Sequence, residues 1–265
     1  MRADQLLVQR GLATSRSQAA RLIDAGARWL YRGEWKPLRK SDDLHDDAQI
    51  ELTHADEAKY VSRGGLKLEG ALAASSLQVS GLLCLDVGQS TGGFTDCLLQ
   101  HGAQAVVGVD VGHGQLHPSL RDHAQVECLE RVNARTLSAT DFVAIQAVNT
   151  WASELFDNKN TSKKMFFDVV VGDVSFISQT LLIEALSALL KPAGHMLMLV
   201  KPQFELQPEQ IGKGGIVKDA AHYAVVEQRI RSAYTAQGMQ VQHYFASPIE
   251  GGDGNREFFV HAVKA

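Results

Sequence analysis

The sequence predicts a small α+β domain at the N-terminus, followed by an α/β domain with a mostly parallel, seven-stranded sheet that ends in an antiparallel strand. From Val61 onward, short apolar runs alternate with helical segments, which is typical of a parallel sheet covered by helices. Before Val61 the segments are shorter and strongly charged. At 265 residues the chain is long enough for one large core and an accessory domain.

The first domain is predicted to cover residues 1–57. Two short helices are expected, because Gly11 ends the first apolar pattern and Ser15 is a suitable cap for the second. Alternating segments then predict a small sheet, and a polar stretch indicates a linker. The predicted elements are helices 3–10 and 15–26, strands Trp29–Tyr31 and Gln49–Leu52, the polar stretch His54–Lys59, and a linker at 58–61.

The second domain is predicted to cover residues 62–265. Its apolar runs have the length of buried strands, and a Gly/Pro-rich segment joins the last two, which are expected to pair antiparallel. Residues 143–165 are expected to be a surface excursion. The predicted strands are Leu82–Val87, Ala105–Asp110, Val126–Glu130, Phe167–Val171, Met196–Lys201, Met239–Phe245 and Arg256–Val263, and the predicted helices are 64–75, 93–101, 179–190 and 219–236.

The composition excludes several classes of protein. With 45% hydrophobic and 21% charged residues, the chain contains no apolar run of about 18 residues that could cross a bilayer. The N-terminus lacks the apolar region of a secretory signal, so we expect a cytoplasmic protein. The three cysteines include no C-x-x-C pair, which argues against a disulfide framework and against a metal site.

The charge is unevenly distributed. The whole chain has a net charge of −4, but residues 1–40 contain nine Lys and Arg against three acids, whereas residues 41–60 contain one Lys against seven acids. Arg16 and Arg21 can lie on the exposed face of the second helix. A basic face is therefore predicted at the start of the chain, as expected for a nucleic-acid partner.

The segment Leu85–Asp96 is an apolar strand that runs into a glycine-rich turn and then a helix. Its order is D-x-G-x-x-x-G-G, whereas a dinucleotide-binding loop has G-x-G-x-x-G. A helix N-terminus suits a phosphate, but S-adenosylmethionine has none and carries cationic sulfonium and ammonium groups, for which a carboxylate such as Asp86 is better suited. The pattern therefore predicts S-adenosylmethionine as the cofactor, the alternative being glycines that only make a tight turn.

A second acid, Asp110, ends the next predicted strand. In this position a carboxylate can accept two hydrogen bonds from a ribose diol. The alternative is a solvated loop acid.

Four more polar residues lie at ends or turns of predicted elements, namely Lys67, Asp173, Lys201 and Glu257. Methyl transfer to a ribose hydroxyl requires removal of the hydroxyl proton, which a lysine can perform if burial or neighbouring cations lower its pKa. Lys201 is the candidate base. Lys67 would keep its neighbour neutral or stabilise the alkoxide, and the two acids would orient the lysines and the hydroxyl. The alternative is that each is a member of a surface ion pair.

A basic loop is predicted over Pro202–Asp219, next to the candidate base, and it includes Lys213 and Lys218. Such a loop could hold a phosphate backbone, or be a plain flexible connection.

These motifs resemble the TlyA (haemolysin A) family of rRNA 2′-O-methyltransferases, whose catalytic domain is of the FtsJ type. Residues 1–60 resemble an RNA-binding module first described in a ribosomal small-subunit protein, through Arg2–Val8 and Gly11–Arg16. The catalytic domain matches at Ser62–Gly65, Leu85–Asp96, Val109–Gly112, Gly172–Ser178, Lys201–Glu205, Gly212–Lys218 and Ser247–Phe259. The chain departs from the family at Gln89, at His113 and at Arg32–Trp35, which replaces a V-N-G turn.

The resemblance implies the Rossmann-like fold of class I methyltransferases and a Lys-Asp-Lys-Glu catalytic tetrad at the four residues named above. It also implies cytidines of ribosomal RNA as the substrate, ribosomal subunits as partners, and Asn133 and Arg135 near the adenine. The predicted cofactor-binding residues are Asp86, Gly88, Ser90, Thr91, Gly92, Gly93, Asp110, Val111, Asn133 and Asp173. The predicted RNA-binding residues are Arg2, Arg10, Arg16, Arg21, Arg63, Lys213 and Lys218.

Three other functions stay open on the sequence. A cytolysin would need export or membrane-active amphipathic segments, neither of which the sequence shows. An inactive assembly factor would bind RNA without the cofactor. A methyltransferase for proteins or small molecules would act independently of residues 1–60.

Overall fold

The computed structural model describes residues 1–13, 15–53, 59–142, 166–251 and 254–265. The chain divides into two compact units, Met1–Leu66 and Lys67–Ala265. The excursion predicted at 143–165 lies outside the described residues, as do residues 54–58 of the predicted polar stretch.

The first unit packs two helices and a small antiparallel sheet around a core of leucine, isoleucine and alanine side chains that includes Leu6, Leu7, Leu22 and Ile23. Ser15 caps the second helix by accepting a hydrogen bond of 3.2 Å from the backbone N–H of Gln18, as the sequence predicted. The elements are α1 Ala3–Gln9, α2 Arg16–Asp24, β1 Arg28–Tyr31, β2 Glu34–Pro37 and β3 Ile50–Glu51, in the sheet order β2-β1-β3.

The second unit contains a seven-stranded sheet in the order β6-β5-β4-β7-β8-β10-β9. Neighbours from β6 to β8 pair parallel, and β10 pairs antiparallel with β8 and with β9. The predicted fold class is confirmed. The strands are β4 Leu83–Val87, β5 Ala105–Asp110, β6 Val126–Glu130, β7 Phe167–Gly172, β8 Leu190–Val200, β9 Met239–Ala246 and β10 Phe258–Lys264.

Helices and short 3₁₀ turns connect the strands. The helices are α3 Gly64–Ser75, α4 Gly93–Gln100, α5 Pro118–Arg121, α6 Ile183–Ala188, α7 Pro202–Glu205 and α8 Ala221–Ala236. The 3₁₀ turns are Ala134–Thr136, Ala139–Phe142, Gln179–Leu181, Pro208–Gln210 and Lys213–Gly215.

The helix predicted over 179–190 is shorter than expected. A 3₁₀ turn occupies Gln179–Leu181, α6 ends at Ala188, and β8 begins at Leu190, six residues before the predicted start of that strand. Ala193 has φ +59° within β8, and the pairing register with β7 shifts at this irregular end. The sequence Lys191-Pro192-Ala193-Gly194 is typical of a turn, so the pattern could not predict a strand here.

The centre of the sheet places polar residues at one edge. Every residue of β4 is buried, and so are the last four residues of β7 and the last five of β8. These strands run parallel, so their carboxyl ends meet at the same edge. The backbone N–H of Asp173 donates a hydrogen bond of 3.0 Å to the carbonyl oxygen of Val87, which fixes the end of β7 against the end of β4.

Candidate active site

The loop after β4 turns tightly because several of its residues have left-handed backbone. Gly88 has φ +79°, Ser90 has φ +49°, and Gly92, which caps α4, has φ +92°. A Cβ atom at Gly88 would lie 2.7 Å from the carbonyl oxygen of Asp173. Glycine therefore allows the loop to approach the end of β7 closely.

Buried polar side chains support this loop. Asp86 is 1% exposed, and its Oδ2 accepts a hydrogen bond of 2.7 Å from Thr95 Oγ1, which in turn accepts one of 2.9 Å from Gln89 Nε2. Burial raises the pKa of Asp86 to about 7, although the Thr95 hydrogen bond acts in the opposite direction. Asp86 Oδ1 has no hydrogen-bond partner among the described residues. The carboxyl group thus lies inside the protein, where it holds the start of α4.

A cavity of about 380 Å³ opens at the carboxyl ends of β4, β5 and β7. This is the edge at which open α/β sheets bind ligands, beside the strand where the winding direction reverses. Apolar side chains form much of its wall, with a few polar groups between them. The lining residues are Val87, Gly88, Ser90, Val109, Asp110, Val111, Gln115, Val132, Asn133, Ala134, Asp173, Val174, Ser175, Phe176, Ile177 and Leu182.

Asp110 lines this cavity with its carboxylate held in place. Its Oδ2 accepts a hydrogen bond of 2.8 Å from the backbone N–H of Ser90, and its Oδ1 accepts one of 2.7 Å from that of Gly112. Each oxygen retains lone pairs, so the group can still accept hydrogen bonds from a diol. These backbone hydrogen bonds therefore fix the position of the carboxylate before a ligand binds.

The cavity contains part of the predicted cofactor set. Six predicted residues line it, namely Gly88, Ser90, Asp110, Val111, Asn133 and Asp173. Four do not: Asp86 is buried beneath the loop, and Thr91, Gly92 and Gly93 form the turn into α4. The six residues that line the cavity provide hydrogen-bond acceptors and an apolar surface, whereas the other four determine the conformation of the loop.

The four residues of the predicted tetrad form two ion pairs. Lys67 Nζ, on α3, lies 2.5 Å from Glu257 Oε2, and both side chains are nearly buried. Lys201 is the residue that follows β8. Its Nζ lies 2.5 Å from Asp173 Oδ1 and donates a hydrogen bond of 2.8 Å to Ser175 Oγ. Burial raises the pKa of Glu257, and the ammonium of Lys67 acts against this rise.

A second cavity, of about 400 Å³, lies over these pairs and shares Ser175 and Phe176 with the first. It is lined by Lys67, Ser175, Phe176, Lys201, Gln203, Phe204, Gly214, Gly215 and Glu257. Asp173 lines the first cavity while its carboxylate binds Lys201, which lines the second. A group in one cavity and a hydroxyl in the other could therefore react across this junction.

The family model described as FtsJ-like methyltransferase matches residues 60–264. The chain belongs to the FtsJ-like methyltransferase family.

Relatives of known name match nearly the whole chain. YqxC of Bacillus subtilis is 40% identical over 98% of this chain and 84% of its own. TlyA of Mycobacterium tuberculosis, named 16S/23S rRNA (cytidine-2′-O)-methyltransferase, is 38% identical over 98% of this chain and 88% of its own. A solved structure from Streptococcus thermophilus that carries the name hemolysin is 36% identical, with a TM-score of 0.72, and covers 100% of this chain and 88% of its own.

Two residues of this FtsJ-like methyltransferase were not predicted from the sequence. Ser175 accepts the hydrogen bond of Lys201, and the side chain of Phe176 is 91% exposed at the mouth of both cavities. Phe176 has φ +64° and its ring centroid lies 5.2 Å from that of Phe204. They lie two and three residues after Asp173, so proximity to a predicted site residue was the available signal. The exposure and the backbone strain of Phe176 depend on tertiary structure.

Glu205 connects the segments that follow β7 and β8. It is 3% exposed; its Oε1 accepts a hydrogen bond of 2.8 Å from the backbone N–H of Gln179, and its Oε2 accepts one from Ser178 Oγ. Burial raises the pKa of Glu205, although these two hydrogen bonds lower it. This buried carboxyl group holds the turn after Phe176 against the helix after Lys201.

In the first unit, the arginines predicted to bind RNA are partly engaged by the protein itself. Arg2 and Arg16 both bind the buried carboxylate of Asp4, at 3.0 and 2.7 Å, and they lower its pKa. The Arg10 guanidinium donates to the carbonyl oxygens of Ala48 and Asp46. Arg2 and Arg16 keep 51% and 61% of their side chains exposed, so a phosphate can still reach them.

Of the remaining predicted cations, all except Arg21 are exposed. In the first unit, Arg63 lies just before α3, and Arg21 is half-buried, with its guanidinium donating to the carbonyl oxygens of Tyr60 and Val61. Lys213 and Lys218 are exposed in the segment between α7 and α8. Within the described part of the chain, no three His, Cys, Asp or Glu side chains form a group suited to a metal ion, and no helix has the length and apolar character to cross a bilayer.

Proposed function

We propose that this chain transfers a methyl group from S-adenosylmethionine to the ribose 2′-hydroxyl of cytidine in ribosomal RNA. The observation that carries the proposal is the junction of two cavities, where Asp173 and Lys201 form an ion pair from opposite sides. The names of relatives support the substrate, since TlyA of Campylobacter jejuni is named 23S rRNA (cytidine-2′-O)-methyltransferase.

The first cavity fits the cofactor by its chemistry. Asp110 presents preorganised acceptor oxygens for the ribose diol, and Val111, Val132 and Leu182 offer an apolar surface for the adenine. Asp173 would provide the negative charge on the side of the sulfonium. S-adenosylmethionine, when bound, supplies an electrophilic methyl group.

The tetrad would prepare the hydroxyl. Lys201 would act as the general base in its neutral amine form, accepting the 2′-hydroxyl proton at Nζ, while Asp173 and Ser175 hold that nitrogen in position. Lys67, held by Glu257, would stabilise the developing negative charge on the oxygen. The hydroxyl oxygen would form the new bond to the methyl carbon as the bond between that carbon and the sulfonium sulfur breaks, which leaves S-adenosylhomocysteine, and the hydroxyl proton would pass to Lys201.

The RNA would meet both the exposed cations and the exposed ring at the site. Phe176 offers a free aromatic face on which an unstacked base can rest. Lys213 and Lys218 of the second unit, and Arg2, Arg16 and Arg63 of the first, would contact phosphates. Ribosomal subunits are thus the proposed partners and the cytoplasm the proposed location.

The test is methyl transfer from labelled S-adenosylmethionine onto purified ribosomal subunits. Lys201→Ala should lower kcat by about 10²- to 10⁴-fold, the usual contribution of a general base. Lys191→Ala removes a lysine that pairs with Asp168 outside both cavities, and it is the matched control. Equal labelling by Lys201→Ala and the wild type would refute the proposed base.

The same preparation separates the other functions. An assembly factor without activity would show no binding of S-adenosylmethionine in a titration. A cytolysin would lyse red cells, and the lysis would persist in Lys201→Ala. A methyltransferase for proteins or small molecules would label such substrates in preference to ribosomal subunits.

A further inference from the structure

Residues 212–218 form a loop that borders the second cavity, and we call it the 212–218 loop. Its Gly214 and Gly215 line that cavity together with residues of the tetrad. Both glycines have a left-handed backbone, with φ +78° and +80°, and a Cβ atom at either would meet no atom within 4 Å. Lys213 and Lys218 of the same loop are exposed. The loop therefore brings two cations next to the cavity in which the ribose hydroxyl would lie.

The backbone hydrogen bonds within the loop join residues close in sequence. The N–H of Gly212 donates a bond of 2.8 Å to the carbonyl oxygen of Ile216, and its carbonyl oxygen accepts one of 3.1 Å from Gly215. The helical part is the short 3₁₀ turn Lys213–Gly215. Glycine loses more conformational freedom on ordering than any other residue, and the loop contains three glycines. Contacts from outside the loop should therefore decide how well it is ordered.

Asn255 provides such contacts from the segment that precedes β10. Its side chain is buried, with 2% of the residue exposed. Its Oδ1 accepts a hydrogen bond of 3.0 Å from the backbone N–H of Val217, and its Nδ2 donates one of 3.0 Å to the carbonyl oxygen of Gly215. One amide group can donate and accept at the same time, at two atoms a fixed distance apart. Asn255 therefore anchors the loop at two points, where the 3₁₀ turn ends.

The segment that carries Asn255 also carries an acid of the tetrad. Asn255 and Glu257 are both buried, whereas Arg256 between them is exposed. Glu257 Oε2 lies 2.5 Å from Lys67 Nζ. A segment of three residues thus contacts both the 212–218 loop and an ion pair that lines the second cavity.

Tyr223 of α8 makes a further contact with the loop. Its hydroxyl donates a hydrogen bond of 3.4 Å to the carbonyl oxygen of Val217. Both backbone groups of Val217 are thus bound by side chains from outside the loop, and the residue is 5% exposed. The bond from Tyr223 is long, so Asn255 should contribute more to the anchoring.

We propose that Asn255 is a positioning residue that orders the 212–218 loop before RNA binds, so that Lys213 and Lys218 meet phosphates beside the target ribose. The inference rests on the proposed function for the RNA substrate. A loop that is already ordered lowers the entropy cost of binding, whereas a loose loop has to become ordered together with the RNA. Asn255 is not among the described residues that line either cavity, so it acts through the loop.

Limited cleavage by trypsin measures the order of the loop in the full chain, without any substrate. Trypsin cleaves after Lys213 and Lys218 when the backbone around them leaves its folded conformation. Asn255→Ala leaves the N–H of the buried Val217 without its acceptor. The initial rates of cleavage after the two lysines should therefore rise by about fivefold to a hundredfold.

Two further variants separate anchoring of the loop from general stability. Asp168→Ala removes the acceptor of another buried backbone N–H, that of Leu83, at the amino ends of β4 and β7. It should lower Tm but leave both cleavage rates unchanged. Tyr223→Phe keeps the ring and removes the hydroxyl that binds Val217. It should speed cleavage as Asn255→Ala does, but by less, and it tests the anchoring even if Asn255→Ala does not fold.

The effect on RNA is measured as the Kd of each variant for purified ribosomal subunits, separately from methyl transfer. Asn255→Ala should raise this Kd by about fivefold to a hundredfold, because the loop has to become ordered on binding. Its affinity for S-adenosylmethionine should be unchanged, since none of the described loop residues lines the first cavity. Asp168→Ala should leave both affinities unchanged.

Equal cleavage rates in the wild type and in a folded Asn255→Ala variant would overturn the anchoring and favour a plain flexible connection. Faster cleavage with the Kd of the wild type would overturn the role in RNA binding. If the wild type transfers no methyl group, the proposed function fails, whereas the cleavage rates and the Kd still decide the role of Asn255.

Discussion

Asp86 and Asp110 both end a parallel strand, but their surroundings differ. Asp110 lines the first cavity and accepts two backbone hydrogen bonds, whereas Asp86 is covered and binds Thr95. The sequence predicted cofactor contact for both, because position at the end of a strand was the shared signal. Whether a side chain faces a cavity or a helix depends on packing, and the spacing of the two acids in the sequence does not show how their side chains pack.

The burial of Asp86 should make stability depend on pH. Its pKa of about 7 in the folded chain exceeds the value of about 4 expected for an unfolded chain, so the folded state holds the proton more tightly. Stability should therefore fall as pH rises from about 4 to 7. Asp86→Asn should remove this slope. Its free energy of unfolding, relative to that of the wild type, should therefore rise by about 1 to 4 kcal/mol between pH 4 and pH 8. Urea unfolding at both pH values measures the difference.

The control for this prediction is Asp122→Asn, which changes an exposed aspartate of the same unit. Parallel pH profiles for the wild type and Asp86→Asn would contradict a neutral, buried Asp86.

Phe176 combines an exposed ring with a strained backbone. A left-handed φ is unfavourable for a phenylalanine, and 91% exposure gives the ring little burial to offset it. Phe176→Gly should therefore leave the free energy of unfolding unchanged or raise it by about 1 kcal/mol. The same variant should lower methyl transfer to RNA, because it removes the ring at the junction of the cavities.

The measurement pairs thermal unfolding with KM for ribosomal subunits. Loss of stability together with normal KM would show that Phe176 supports the fold and not the substrate. Leu181→Gly changes another exposed apolar residue, 51% exposed, and should leave KM unchanged.

At the scale of elements, the sequence predicted regular, buried strands well and irregular ones poorly. β4 and β5 were placed within one residue, because each is a continuous apolar run. β2 was not predicted, since all four of its residues are exposed and no apolar alternation marks it. The start of β8 was missed because Pro192 and Gly194 indicate a turn.

The same limit applies to the site. The tetrad residues were predicted because they are polar residues at ends or turns of predicted elements and because the family resemblance implies a tetrad at them, and the structure brings all four into two pairs. Ser175 and Glu205 were not predicted, because their roles depend on contacts between segments far apart in the chain.

Glu205 links two such segments, and this suggests a positioning role. Glu205→Ala leaves the buried N–H of Gln179 unpaired, which should cost about 1 to 3 kcal/mol of stability. Because the Gln179 turn follows Ser175 and Phe176 closely, kcat should fall more than the affinity for S-adenosylmethionine. Glu205→Gln retains an acceptor and should recover much of both.

Steady-state kinetics and unfolding of the two variants test this role. If Glu205→Ala loses stability but keeps the kcat of the wild type, the carboxyl group supports the fold alone. Glu184→Ala, which removes an exposed carboxylate of α6, is the matched control.

At the scale of the whole molecule, the two units differ in charge and in the functional residues that they contain. The net charge of −4 conceals a basic first forty residues, and the unit that contains them also carries the exposed Trp35. The second unit contains both cavities and the tetrad. The basic first forty residues and the glycine loop are visible in the sequence, whereas the exposure of β2 needed the structure, because no apolar alternation marks that strand.

The position of the methyl group on the nucleotide tests the central claim most directly. Ribosomal subunits methylated by the purified chain should be digested to nucleosides and analysed by mass spectrometry. We expect 2′-O-methylcytidine with the wild type and none with Lys201→Ala. A methyl group on a base, or the same product from Lys201→Ala, would contradict it.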